Sequence, residues 1–188
     1  QTEQGHVAGA ELTAPQPLTR LSQISVEQAA ACLSLSATEV KTDRHPPQII
    51  SVGLPFLAVE LASRDALRRA RPDAAAFAKT FPRDDSDSIY FYTRDVPAGE
   101  KPCDLQARMF HPGASGLSED PATGSATAAA AALLADLDPM RDGKLKLRIG
   151  QGVDMGRPSL LLTRVRKQNG AVASVHVGGS CVQMMEGT

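Results

Sequence analysis

The stretch Glu119-Asp120-Pro121-Ala122-Thr123-Gly124-Ser125-Ala126 brings together the residue types needed to hold an anion beside a proton carrier. Asp120 is a carboxylate and can give or take a proton. Gly124 lets an anion approach the backbone, and Ser125 adds a hydroxyl. The run on to Leu137 reads as a helix over about 122–137, with Asp120 as its cap and Pro121 in its first turn. From Ala126 to Leu134 no side chain is charged, and a helix apolar all round is one buried on every side. Its N-terminus would aim free N–H groups, and the positive end of its dipole, past Gly124 and Ser125. The plainer reading is that Asp-Pro merely caps a helix, which is common at such starts. The residues by themselves leave both readings open.

Other chemistries find little footing. His6, His45, His111 and His176 are scattered, and none stands at a ligand spacing from a cysteine or a second histidine, so no metal is expected. His111 precedes Pro112-Gly113 and reads as a structural loop histidine. No glycine-rich stretch fits a dinucleotide or Walker loop. Gly113-Ala114-Ser115-Gly116 lacks the spacing of a nucleophile elbow. Arg157, in Met155-Gly-Arg-Pro158, reads as a surface arginine on a turn.

The elements that must position the Asp120 stretch are α and β in separate runs. Val7 to Leu12 is a candidate strand, and Thr13 to Pro17 an extended connector. Ser25 and Gln28 form a capping box for a short helix with an apolar stripe at Val26, Ala29, Ala30 and Leu33. Residues 41–47 read as a loop. Gln48 to Leu61 reads as one strand interrupted at Gly53-Leu54-Pro55 by a bulge or an edge. Helices follow at Ser63–Ala70 and Asp73–Phe81, with Arg64, Asp65, Arg68, Arg69 and Arg71 on a solvated face. Strands are expected at Ser88–Thr93 and at Leu105–Phe110, the second with one buried face. Lys144 to Ile149 alternates cleanly, charges out and Leu145, Leu147 and Ile149 in, before a turn at Gly150-Gln-Gly152. Leu160–Arg166, Val172–Val177 and Val182–Met185 complete the strands, and their short connections imply antiparallel pairing. The fold class is α+β: a curved, mostly antiparallel sheet wrapped around one central buried helix.

The 188 residues suffice for one core, or for one domain and part of another. A net charge of −1 gives no basic footprint for nucleic acid, and 4% aromatics without tryptophan offer few stacking platforms. No apolar run reaches the roughly 18 residues of a membrane span. Cys32, Cys103 and Cys181 are odd in number and far apart, which points to reduced thiols and a cytoplasmic setting. The chain opens Gln1-Thr2-Glu3 rather than with methionine, as a fragment or processed piece would.

Four blocks, in order, carry a resemblance. They are Ser51-Val-Gly-Leu-Pro-Phe-Leu57, Arg108-Met-Phe-His-Pro112, Glu119 to Ala126, and Gln151-Gly-Val-Asp-Met-Gly-Arg-Pro-Ser159. Together the chain resembles the PhzF-like isomerases of phenazine biosynthesis. That resemblance implies the diaminopimelate-epimerase-like fold, in which two similar lobes each wrap a curved sheet around a helix and the active site lies between the two helix N-termini. It implies an isomerase or epimerase that moves a proton without cofactor or metal, as in the isomerisation of trans-2,3-dihydro-3-hydroxyanthranilate. It assigns Asp120 the proton transfer, and Thr123, Gly124 and Ser125 the binding of a small anionic, carboxylate-bearing metabolite. Homodimers are common in the family. The family's first-lobe glutamate and its Gly-His-Ala motif have no match here, since Gly5-His6-Val7-Ala8 falls where the connector between lobes is expected. Residues 1–20 are thus expected to be the remnant of an N-terminal lobe and the connector, and 21–188 the C-terminal lobe, with its last strand returning toward the other. The missing lobe would come from the same gene or a second chain, and this chain alone is expected to be inactive. The rival expectation is a non-catalytic protein of the same fold that binds small anions or another protein.

Overall fold

Ten successive residues of one helix, Ala126 through Ala135, are buried, and the rest of the chain is arranged around them. The computed structural model describes residues 2–3, 6–96 and 103–181, with side chains described from Ala8 onward. In chain order the elements are β1 (Thr2–Glu3), β2 (His6–Val7), β3 (Gly9–Thr13), β4 (Thr19–Gln23), α1 (Val26–Cys32), a 3-10 turn at Ala37–Glu39, β5 (Val40–Lys41), β6 (Gln48–Ser51) and β7 (Pro55–Leu61). Then come α2 (Arg64–Arg69), α3 (Ala74–Thr80), β8 (Ile89–Thr93), β9 (Leu105–Gly113), β10 (Gly116–Glu119), α4 (Gly124–Asp136), β11 (Gly143–Gln151), β12 (Ser159–Gln168) and β13 (Ala171–Ser180). The expected strand at Val182–Met185 lies outside the described residues.

One sheet runs in the order β3-β13-β12-β11-β9-β8-β7-β6-β4, with β10 added to β9 and β5 to β7. Pairing is parallel at β7/β8 and β9/β11 and antiparallel at the other steps, so the sheet is mixed. The sheet curls around α4. Ile50, Ala58, Tyr90, Met109, Ile149, Val165 and Val177, drawn from seven strands, share one core with the helix. Alanines with no side chain beyond Cβ let the strands come close on every side, and alanine is also the best helix former.

The two edge strands, β3 and β4, are consecutive in sequence yet do not pair with each other. The connector between them lies along the seam. Ala14 N–H donates to Val175 O at 2.9 Å, and Gln16 N–H donates to Val52 O at 3.1 Å. Pro15 packs onto Gly53, where a Cβ would stand 2.8 Å from its ring. On the outer face of β6 to β9, helices α1, α2 and α3 cover a second core that includes Leu33, Leu57, Leu67, Phe77 and Phe91.

Several sequence-based expectations are corrected. Gln48–Leu61 is not one bulged strand: Gly53 and Leu54 lie in the turn of a hairpin in which Ser51 pairs with Pro55 and Gln48 with Ala58. β9 is buried on both faces through Phe110, because α2 and its neighbours cover the face that carries Gln106 and Arg108. β11 runs through Gln151, so the turn begins only at Gly152. Arg64 is not on a solvated face: it grips Asp154 through two hydrogen bonds of 2.8 and 3.0 Å. The capping box at Ser25 and Gln28 forms as expected. Cys32 is buried, Cys103 half-buried and Cys181 exposed, all three free. Burial raises the Cys32 thiol pKa. No helix is long and apolar enough to cross a membrane among the described residues.

Candidate active site

The start of α4 differs from the capping scheme read from the sequence. The helix begins at Gly124 with Thr123 as N-cap, and Thr123 makes no side-chain cap bond. Asp120 does not cap either. Its backbone N–H still belongs to the sheet, donating to Met109 O at 3.2 Å. That tie holds Asp120 a full turn away from the helix, and Pro121-Ala122 bridge the gap. The Asp120 carboxylate instead accepts a hydrogen bond of 2.7 Å from the Thr123 hydroxyl. Cap and carboxylate therefore face each other across the loop rather than closing the helix end.

The N–H groups of Gly124 and Ser125 find no acceptor among the described residues; the first helical bond is Thr127 N–H to Thr123 O. They are orphan donors at the positive end of a thirteen-residue helix. Asp120, Gly124 and Ser125 are each half-buried and Thr123 is buried. Gly124 itself has no structural need to be glycine. Its φ is not positive, and a Cβ would stand 3.8 Å from Val177 and 3.9 Å from Leu12, ordinary contact distances. Glycine inside a helix costs about 0.5–1 kcal/mol relative to alanine. What it leaves is bare backbone at the helix tip, the condition for close approach of an anion. Gly152 makes the contrast: its φ is +74° and a Cβ would meet Pro121 O at 2.8 Å, so packing alone demands it.

Gln151, at the end of β11, was not singled out from the sequence as a site residue. It is fully buried, and its one carboxamide serves three groups. Oε1 accepts from Thr123 N–H at 3.1 Å. Nε2 donates to Asp120 O at 2.8 Å and to Thr123 Oγ1 at 2.9 Å. Both ends of the Asp120–Thr123 loop are thus pinned from a strand 28 residues on. The only sequence signal was its place at the head of the Gln151–Ser159 block.

Glu119, the first residue of the stretch, faces the other way. Arg108 holds it through two bonds of 2.8 Å, Nε to Oε1 and Nη2 to Oε2. Arg108 also donates to Leu67 O at 2.7 Å and Ala70 O at 3.0 Å, with Phe91 and Phe110 packed against its guanidinium. The motif is therefore anchored to both layers: Glu119 to the helices outside the sheet, Asp120 and Thr123 to the strand end inside it. His111 bonds locally, its Nδ1 donating to Pro112 O at 2.7 Å, and Arg157 is exposed. Among the described residues no group of histidine, cysteine or acidic side chains is placed to hold a metal ion.

A curled mixed sheet around a buried helix, with a carboxylate at the helix N-terminus, defines a class that the comparisons with known proteins identify. The family model described as phenazine biosynthesis-like protein matches residues 2–187, and the chain belongs to that family. An uncharacterised isomerase of Mesorhizobium japonicum is 34% identical over 92% of this chain and 57% of its own length. A trans-2,3-dihydro-3-hydroxyanthranilate isomerase of Pseudomonas chlororaphis is 30% identical over the whole of this chain and 61% of its own. The chain thus spans about three fifths of the length of the curated relatives it matches. Among solved structures, a Bacillus anthracis phenazine biosynthesis protein of the PhzF family superposes over 96% of this chain and 57% of its own with a TM-score of 0.73 at 18% identity, a likeness of fold. A predicted epimerase of Pseudomonas aeruginosa superposes with a TM-score of 0.62 at 27% identity, over 98% and 61%.

Proposed function

We propose that this chain supplies one half of the active site of a cofactor-independent isomerase or epimerase, which moves a proton on a small carboxylate-bearing metabolite. The observation that carries this reading is the juxtaposition at the tip of α4: a carboxylate, Asp120, oriented by the Thr123 hydroxyl, beside the unpaired N–H groups of Gly124 and Ser125. In this reading the substrate carboxylate docks on those two amides, with the Ser125 hydroxyl as a third donor. Asp120 then carries a proton to or from the substrate carbon or its neighbour, and the Thr123 bond fixes which oxygen is free to do so. Thr123 binds substrate through the same hydroxyl or the adjacent backbone.

Proton transfer that moves a double bond or inverts a centre needs a second acid or base on the far side of the substrate. The relatives' extra length accommodates it: residues 1–20 are read as the end of a first lobe and the connector, 21–188 as the second lobe, and the opposing group comes from the first lobe. By itself the chain then holds half a site, and half a site cannot fix the reacting geometry. The relative from Pseudomonas chlororaphis makes dihydro-hydroxyanthranilate the first substrate to try.

The test is an assay of the full-length protein with Asp120→Asn, following solvent deuterium into the substrate. Loss of exchange by two or more orders of magnitude, with the thermal midpoint unchanged, is expected. Exchange at the parent rate would remove Asp120 from the chemistry. A second reading, a non-catalytic partner-binding protein of the same fold, is favoured by Leu12, 51% exposed beside the helix tip. It predicts no exchange in the parent protein with any carboxylate offered.

A further inference from the structure

The outward face of the β11–β12 hairpin concentrates positive charge in a way the fold itself does not call for. Lys144 stands directly opposite Arg166, and Lys146 directly opposite Arg164, all four exposed. Arg148 continues the row, exposed and opposite Leu162. Like charges facing each other across an antiparallel ladder are destabilising. Relief is slight. Glu11 on β3 reaches Arg164 at 3.0 Å. Asp104 accepts from the backbone N–H of Arg148, not from its side chain. The side chains of Lys144, Lys146, Arg148 and Arg166 have no carboxylate partner among the described residues. In a chain whose net charge is −1, five cations on one face are a local excess. The four facing cations lie toward the Gly143 end of β11, away from Gln151, the turn into β12 and the Asp120 loop.

We propose that this face docks an extended, acidic protein segment. Alternate residues of a strand are roughly 6.8 Å apart, so a partner strand with acidic residues at every second position repeats at the period of Lys144, Lys146 and Arg148. Beyond the cations the same face turns apolar at Leu162 and Leu160, 48% and 37% exposed, which offers a seat for a neighbouring hydrophobic side chain. That mixture, with apolar contact beside steering charge, is the anatomy of a protein interface. Nucleic acid fits less well, because no aromatic side chain lies on this face to stack a base. A lipid surface fits less well too, because both leucines stand on a strand within the sheet and not on an amphipathic helix with one broad apolar face.

The experiment is a titration of the full chain, followed by NMR, with a ten-residue peptide of alternating Glu and Thr. Shifts confined to β11 and β12, weakening as salt rises, and at least tenfold weaker binding to Lys146→Gln/Arg166→Gln are expected. That double variant should melt no lower than the parent, since it removes facing like charges, and Lys79→Gln, at an exposed position of α3, should bind as the parent does. No binding at 50 mM salt, equal binding by the double variant, or tighter binding of a ten-nucleotide thymidine oligomer or of phosphatidylserine vesicles than of the peptide would overturn the proposal. Neither Asp120 nor the isomerase reading enters these outcomes.

Discussion

Gln151 shows how much of a site can hang on a side chain that does no chemistry. Its carboxamide holds Thr123 N–H, Thr123 Oγ1 and Asp120 O at once. Replacing it with leucine leaves a buried N–H and a buried carbonyl without partners, at about 1–3 kcal/mol each. Gln151→Leu is therefore expected to lower the thermal midpoint and, in the full-length protein, to cut turnover further than stability alone explains. Gln151→Glu can still accept from Thr123 but cannot donate to Asp120 O, so it should fall between the two. Equal turnover in all three would show that the loop holds its shape unaided. A second residue-scale prediction concerns His45, buried at 2% exposure, with Nδ1 donating to Pro46 O at 2.8 Å and Nε2 2.7 Å from the Tyr92 hydroxyl. Burial pushes its pKa below the ordinary 6.5. The unfolded chain thus binds this proton first as pH falls. The stability that neutral His45 contributes is complete above pH 6.5 and declines from there down to its folded pKa. Urea midpoints at pH 7.5 and 5.5 should show the loss, and His45→Gln should flatten it.

Among the elements, β9 is where reading by alternation failed. Gln106 and Arg108 alternate with Leu105, Ala107 and Met109, the pattern of a half-exposed strand, yet α2 and the second core cover the polar side. A cation is tolerated there only because Glu119, eleven residues on, meets it with two bonds and the carbonyls of Leu67, Arg68 and Ala70 accept from Nη1. No local pattern announces such a partner. Breaking a buried ion pair from one side costs about 3–5 kcal/mol, so Arg108→Met should destabilise by that order, and Arg108→Met with Glu119→Leu by less. Chemical denaturation of the two variants measures the difference. The burial of α4, by contrast, was legible outright, because a run without charge leaves only one environment. The grouping of the candidate residues was legible for a similar reason. Asp120, Thr123, Gly124 and Ser125 are sequence neighbours, and one loop brings them together. Their cap geometry was not, since it is set by Met109 O and Gln151, which reach the loop through space.

At the scale of the molecule, the first long strand among the described residues pairs with the last. β3 lies against β13, Thr13 beside His176 across 163 positions of sequence, and β12 and β13 form much of the wall around α4. The wall is completed by β13, which follows α4 in the chain. On a ribosome, α4 emerges about forty residues before β13 does, and its ten buried positions then wait uncovered. Non-local closure of this kind slows folding and leaves a sticky intermediate. Nascent chains halted after Leu162 should accordingly be cut readily by protease and captured by chaperones, whereas chains released past Ser180 should resist both. The wall that encloses α4 so fully when complete makes this chain a late closer, dependent during its own birth on other molecules to shield the helix at its centre.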